Sequence, residues 1–222
     1  MNIGVMGTGR VGNAIGSKLV QLGHRIKMGS RTANNEKAAA WVRSAGSNAS
    51  QGTFADAAGF GEILFNCTAG MASMEVLKMA GEKNLDGKVL IDISNPLDFS
   101  RGMPPSLTIS NTDSLGESIQ RTFPQLKVVK ALNTMNCYVM VNPSLVPGDH
   151  NVFLGGNDAG AKAKVKEILR SFGWKEGNIL DLGDITAARG MEQILPLWVR
   201  LWSTMQNPIF NFRIVEGTPP KT

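Results

Sequence analysis

An α/β fold, a doubly wound parallel sheet with helices on both faces, is the expectation, and three observations lead to it. Short apolar runs alternate with stretches of helical spacing along most of the chain, the pattern of strand–helix–strand crossovers. A glycine-rich turn joins the first apolar run directly to the first helical stretch. The 222 residues are 42% hydrophobic and 18% charged, with 25 Gly and 10 Pro, which suits one well-buried core and no disordered or collagen-like chain.

Taken in order, residues 2–6 form a short apolar strand and residues 11–22 a helix that Gly23 ends. Residues 25–28 read as a second strand and 36–45 as a second helix, closed by Gly46. The third unit is strand 63–67 with helix 73–80. Strand 89–92, a proline-broken loop over 95–105, helix 114–123 and strand 127–131 follow. Pro and Gly collect over 142–149, which divides a nucleotide-binding domain, 1–145, from a small C-terminal α/β extension, 146–222. The extension reads as strand 151–154, helix 161–172, strand 178–182 and a long helix over 187–206, in which Pro196 predicts a kink. Met191, Ile194, Leu195, Trp198, Leu201, Trp202 and Met205 repeat at three and four residues there, the stripe of a core or dimer face.

Several classes of function are disfavoured. The net charge is +5, but Lys and Arg are scattered without the basic arm or stripe of a nucleic-acid binder. No apolar run approaches the roughly 20 residues that span a bilayer, and the N-terminus lacks a signal-peptide pattern. A cytoplasmic protein with no membrane and no nucleic-acid partner is therefore expected. Cys67 and Cys137 stand alone, without metal-ligand spacing, and read as reduced thiols.

Gly7-Thr8-Gly9-Arg10-Val11-Gly12 is a GxGxxG motif in the right context, after a strand and opening a helix. Gly7 permits the turn, Gly9 lets the backbone approach a pyrophosphate, and Gly12 lets helix and strand pack closely. The positive end of the helix 11–22 would face the phosphates. This is the signature of a Rossmann-type dinucleotide site. NAD enzymes usually place Asp or Glu at the end of the second strand; here stand Gly29-Ser30-Arg31-Thr32. Arg31 suits a 2′-phosphate, with Ser30 and Thr32 as further donors and Lys37 as a second positive charge, so NADP is expected over NAD. Capping of the next helix is the other use such residues have.

The reacting end of a cofactor lies beyond the carboxyl ends of the strands. Thr68-Ala69-Gly70, Ser94-Asn95-Pro96-Leu97 and Asn133-Thr134-Met135-Asn136 occupy that edge. They contain no Ser-His-Asp set, no carboxylate pair and no metal cluster, so no catalytic residue and no metal site is assigned. Lys130 is charged but inside a strand. His24 and His150 fall in a turn and in the Pro/Gly region, where surface roles are expected. Reducing a ketone or imine usually needs a proton donor as well as a hydride; transfer between nicotinamide and another ring can proceed on stacking and geometry.

The Gly7–Gly12 turn, Leu22-Gly23-His24, Gly29-Ser30-Arg31, Lys130-Ala131-Leu132-Asn133-Thr134, Leu180-Asp181-Leu182-Gly183 and the run Met191-Glu192-Gln193-Ile194-Leu195-Pro196-Leu197 together resemble the NADPH-dependent coenzyme F420 reductase family over nearly the whole chain. Through residues 94–97 and 131–134 the chain is also similar to the NADPH-binding cytosolic domain of the six-transmembrane metalloreductases. The resemblance implies a hydride shuttle between NADP(H) and a small-molecule acceptor, F420 or a flavin (FAD or FMN), in a homodimer. Ala69, Asn95, Asn133, Thr134 and Met135 would line the nicotinamide and acceptor. Archaeal members that use the deazaflavin look to have His where this chain has Asn133, a departure shared with the flavin-using metalloreductase branch. The competing readings are an imine or carbonyl reductase, which generally carries a larger helical second domain, and a non-catalytic NADP-binding redox sensor.

Overall fold

The computed structural model describes residues 1–220. The elements run β1 (Asn2–Met6), α1 (Arg10–Gln21), β2 (Arg25–Ser30), α2 (Glu36–Ala45), β3 (Ala49–Thr53), α3 (Phe54–Phe60), β4 (Ile63–Asn66), α4 (Gly70–Ala80), α5 (Glu82–Leu85) and β5 (Val89–Asp92). A small hairpin of β6 (Leu97–Asp98) and β7 (Ser106–Leu107) follows, then α6 (Leu115–Thr122), β8 (Lys127–Ala131), α7 (Cys137–Val141), β9 (Val152–Gly156), α8 (Ala159–Ser171), β10 (Ile179–Asp181), α9 (Ala188–Gln193) and α10 (Leu195–Met205).

Eight strands form one sheet in the order β10-β9-β8-β5-β4-β1-β2-β3. The strands are parallel apart from the junction of β8 with β9, which is antiparallel. The order β3-β2-β1-β4-β5-β8 is the doubly wound dinucleotide-binding arrangement, and its direction of winding reverses between β1 and β4. Residues of the extension therefore continue the same sheet through β9 and β10.

Both faces of the central strands β1, β4, β5 and β8 are covered, which explains why these strands are mostly apolar. Ile63 and Phe65 of β4, Val89 and Ile91 of β5, and Val129 and Ala131 of β8 pack with α1, α7 and α8 on one side. Leu64, Leu90 and Val128 point to the other, against α4 and α6. Period-two alternation here separates two cores rather than core from water.

The edge strand β3 and helix α3 were not foreseen. Ala49-Ser50-Gln51-Gly52-Thr53 carries no apolar alternation because it is half-exposed and pairs with β2 alone. α3 starts on a capping box of Thr53 and Asp56 and lies unusually close to the sheet. A Cβ on Gly4 would meet the Ala57 carbonyl oxygen at 2.3 Å, and one on Gly29 would meet the Ala57 Cβ at 2.8 Å. Small residues on both partners set that distance. The long C-terminal helix predicted over 187–206 is two helices, α9 and α10, which meet at Ile194 with Pro196 in the first turn of α10. Proline is accepted there because its missing N–H falls among the donors a helix start leaves unpaired. The outer face of α10 keeps Leu197, Trp202 and Met205 exposed. No helix of the described residues is long and apolar enough to cross a membrane.

Candidate functional site

The glycine turn behaves as its three positions require. Gly7 has φ +121°, and a Cβ there would meet the Cys67 carbonyl oxygen at 2.7 Å. A Cβ on Gly12 would meet the Gly7 carbonyl oxygen at 2.0 Å, so α1 sits hard against the turn. At Gly9 an added Cβ meets nothing within 4 Å: the backbone is bare toward open space. Gly9 is also the N-cap of α1, with no side-chain cap and no acidic residue in the first turn. The result is a helix start whose N-cap supplies no side-chain acceptor to the first N–H groups. Arg10 is exposed beside it, while Thr8 and Val11 are half-buried.

At the end of β2 the structure separates the predicted ligands. Ser30 is buried and its hydroxyl donates to the Thr32 carbonyl at 2.6 Å. Arg31 and Thr32 are exposed. The Arg31 guanidinium faces Glu75 of α4 at 3.6 Å, with 65% and 63% of the two side chains exposed, a loosely held pair. Lys37 lies instead in a groove with Thr8, Asn13, Ser17 and Trp41. Capping of α2 is done by Asn35, whose side chain accepts from Ala38 N at 3.0 Å. Residues 30–32 are thus released from the capping role that was their alternative use.

The edge beyond β4, β5 and β8 brings the remaining predicted residues together. Ala69 is the uncapped N-cap of α4. A Cβ on Gly70 would meet the Asn95 carbonyl oxygen at 2.1 Å, so the segments after β4 and β5 touch there. Pro96 is buried beside half-buried Asn95. Asn133 Nδ2 donates to Asn95 Oδ1 (2.8 Å) and to the Met191 carbonyl (2.7 Å), and Asn95 Nδ2 donates to the Asn133 carbonyl (2.9 Å). Asn133, Thr134 and Met135 are all buried, and Asn133 Oδ1 and Thr134 Oγ1 have no hydrogen-bond partner among the described residues.

Beneath this edge lies a buried polar network that the sequence reading missed. Lys130, fully buried, pairs with Asp92 at 2.8 Å and Glu192 at 2.7 Å and donates to the Ser94 carbonyl at 2.5 Å. Asn66 Nδ2 donates to Asp92 Oδ1 (2.8 Å) and to Ser73 Oγ (3.0 Å), and Asn66 Oδ1 accepts from Thr68 Oγ1 at 2.6 Å. Glu192 accepts from the Leu115 and Gly116 amides at the start of α6, at 2.8 and 3.1 Å. One signal was available: a lysine inside an apolar strand demands a counter-charge, and Asp92 stands opposite it in the β5–β8 register. His150 is also corrected from surface to interior. It is buried, edge-on to Trp174 and bonded through Nε2 to the Pro143 carbonyl and through Nδ1 to the Asn211 amide.

Burial alone pulls the Lys130 pKa down, but the charges of Asp92 and Glu192 outweigh it and hold it above 10.5. A raised folded pKa means the stabilisation is complete below pH 10.5 and is lost as pH rises through the folded value. Removing one partner of a buried ion pair costs about 3–5 kcal/mol. Lys130→Met is therefore expected to lower stability by about that much at pH 7 in denaturant titrations. The gap to the parent should narrow above pH 10.5; a gap that stays constant from pH 10.5 to about pH 12 would show that folding does not raise the lysine's pKa.

A bare glycine turn, an uncapped helix start and an Arg-bearing turn without a carboxylate, set on this strand order, are the features of the dinucleotide-binding class of fold. The family model described as NADP oxidoreductase, coenzyme F420-dependent, matches residues 2–96. A candidate F420-dependent NADP reductase of Arthrobacter sp. FB24 is 48% identical over 97% of this chain and all of its own, with a TM-score of 0.92. The chain belongs to the coenzyme F420-dependent NADP oxidoreductase family. The metalloreductase STEAP3 of Rattus norvegicus is 29% identical over 202 residues, which are 88% of this chain and 37% of the metalloreductase. An imine reductase of Streptomyces aurantiacus shares the fold at 19% identity, with a TM-score of 0.66 over 93% of this chain and 63% of its own.

Proposed function

We propose that this protein transfers a hydride between NADP(H) and a ring acceptor, a deazaflavin or a flavin. The observation that carries the reading is the state of the charged groups at the reactive edge. Asp92, Lys130 and Glu192 are committed to one another below the surface, and the residues above them, Thr68, Ala69, Gly70, Asn95, Pro96 and Asn133 to Met135, offer amides, hydroxyls and apolar atoms. Such an edge can orient two flat rings but holds no free acid among the described residues to protonate an alkoxide or amine, which counts against a carbonyl or imine substrate.

The residues fit an NADP molecule. The Gly9 backbone leaves room for the pyrophosphate, the α1 amides and Arg10 complement its charge, and Arg31 with Thr32 takes a 2′-phosphate. When bound, the nicotinamide supplies or accepts the hydride. The protein's part is to hold the ring edge against the Asn95–Asn133 pair and to keep water from it. Asn133 and the likeness to a metalloreductase favour a flavin among the acceptors.

The test is NADPH binding followed by fluorescence, then NADPH oxidation with FAD, FMN and the deazaflavin added in turn. Tight binding and rapid oxidation by one ring is the expected result and names the acceptor. Tight binding with oxidation by none would remove the ring-acceptor reading.

A further inference from the structure

We propose that Glu192 is a positioning residue for the reactive edge, acting through the Met191 carbonyl and the Asn133 side chain. The inference rests on the hydride-shuttle reading. The geometry is a continuous chain of bonds. Glu192, 2% exposed, spends one carboxylate oxygen on Lys130 and the Gly116 amide and the other on the Leu115 amide. It thereby pins α9 at once to the centre of the sheet and to the first turn of α6.

α9 has six residues, too few to hold its place by its own hydrogen bonds, so these tertiary bonds set where it lies. The preceding residue, Met191, presents its carbonyl to Asn133 Nδ2 at 2.7 Å. Both amide hydrogens of Asn133 are then engaged, one by Met191 and one by Asn95 Oδ1, which leaves the side chain a single orientation. Asn133 follows Leu132, a non-glycine residue at φ +65°. That backbone is of the kind retained only where surrounding contacts over-determine it. The Met191 carbonyl, joined to Glu192 through the peptide bond, is thus two hydrogen bonds from Asn95, on the edge where the nicotinamide would rest.

The assignment separates Glu192 from an ordinary structural anchor. An anchor affects stability and activity alike, whatever the residue at 133. A positioning residue has nothing left to position once Asn133 is gone. Glu192→Gln, nearly isosteric, removes the charge that pairs with Lys130 and leaves one acceptor oxygen in place of two, so Lys130, Gly116 and Leu115 can no longer all be satisfied. The test is a double-mutant cycle of Glu192→Gln and Asn133→Ala in the full chain, read by the emission of bound NADPH, which reports the surroundings of the nicotinamide, and by NADPH oxidation with the active ring acceptor.

Glu192→Gln alone should shift the bound emission and lower turnover about 10- to 100-fold, with the NADPH dissociation constant within about twofold because the phosphate contacts are remote. In the Asn133→Ala background it should change neither readout by more than about twofold. Equal effects in both backgrounds, or none in either, overturn the assignment. If melting shows that Glu192→Gln does not fold, Glu192→Asp, which keeps the charge and shortens its reach, takes its place in the cycle. Failure of the parent protein to oxidise NADPH with any ring overturns the hydride-shuttle reading, while the emission cycle still decides the role of Glu192.

Discussion

Arg31→Glu should weaken NADPH binding about 100-fold and leave NADH binding within about threefold, erasing most of the preference between the two. A guanidinium on a phosphate forms charge-assisted hydrogen bonds worth about 1.5–3 kcal/mol, and the new carboxylate adds repulsion; about 2.7 kcal/mol corresponds to 100-fold. NADH has no 2′-phosphate to lose or repel. The pair with Glu75 does not compete strongly, because both side chains are mostly exposed at 3.6 Å and such pairs contribute about 0–1 kcal/mol. Isothermal titration with each cofactor measures the effect, and dissociation constants unchanged for both would remove Arg31 from the 2′-phosphate site.

The second large effect contrasts two glycines three residues apart. Gly12→Ala forces a Cβ to within 2.0 Å of the Gly7 carbonyl oxygen, a backbone atom in a turn with no slack. Overpacking of this kind costs about 3 kcal/mol, which lowers the melting temperature of a chain this size by roughly 6–12 °C. Gly9→Ala meets nothing within 4 Å and should melt within about 2 °C of the parent, yet its methyl occupies the space assigned to the pyrophosphate and should cost NADPH affinity at least about tenfold. Calorimetry and NADPH titration of both variants check the pair. A Gly9→Ala protein with full affinity would place the phosphates elsewhere.

The nucleotide half was legible in the sequence because its requirements are local. A strand, a turn with three glycines and a helix stand next to one another in the chain, and the absence of a carboxylate after Gly29 can be read directly. Strand β3 was not legible, since an edge strand of Ser, Gln, Gly and Thr has no apolar rhythm. Neither was the split of α9 from α10, where a proline read as a kink is instead accommodated as a fresh helix start. The reactive edge was half legible. Asn95 and Asn133 were expected just beyond two strand ends, where the structure has them, but their mutual hydrogen bonds depend on which strands are neighbours. The Asp92–Lys130–Glu192 network joins residues from three elements far apart in sequence, and no spacing rule could bring Glu192 to the start of α6. That the winding ends in an antiparallel junction was likewise invisible, because β9 is as apolar as a parallel strand would be.

The bond from Glu192 to the Leu115 amide spans 77 residues, and it gives the protein an order of assembly. The glycine turn, β2 and the α1 helix start, with Cys67 against Gly7, need only the first third of the chain, so these elements can form early. The edge beyond β4, β5 and β8 cannot be completed until α9 has left the ribosome and docked, since loop closure over such a span is slow compared with local structure. During synthesis, then, the glycine turn and its helix precede the bonds that fix Asn133, and the carboxylate that arrives late is the one that locks this edge.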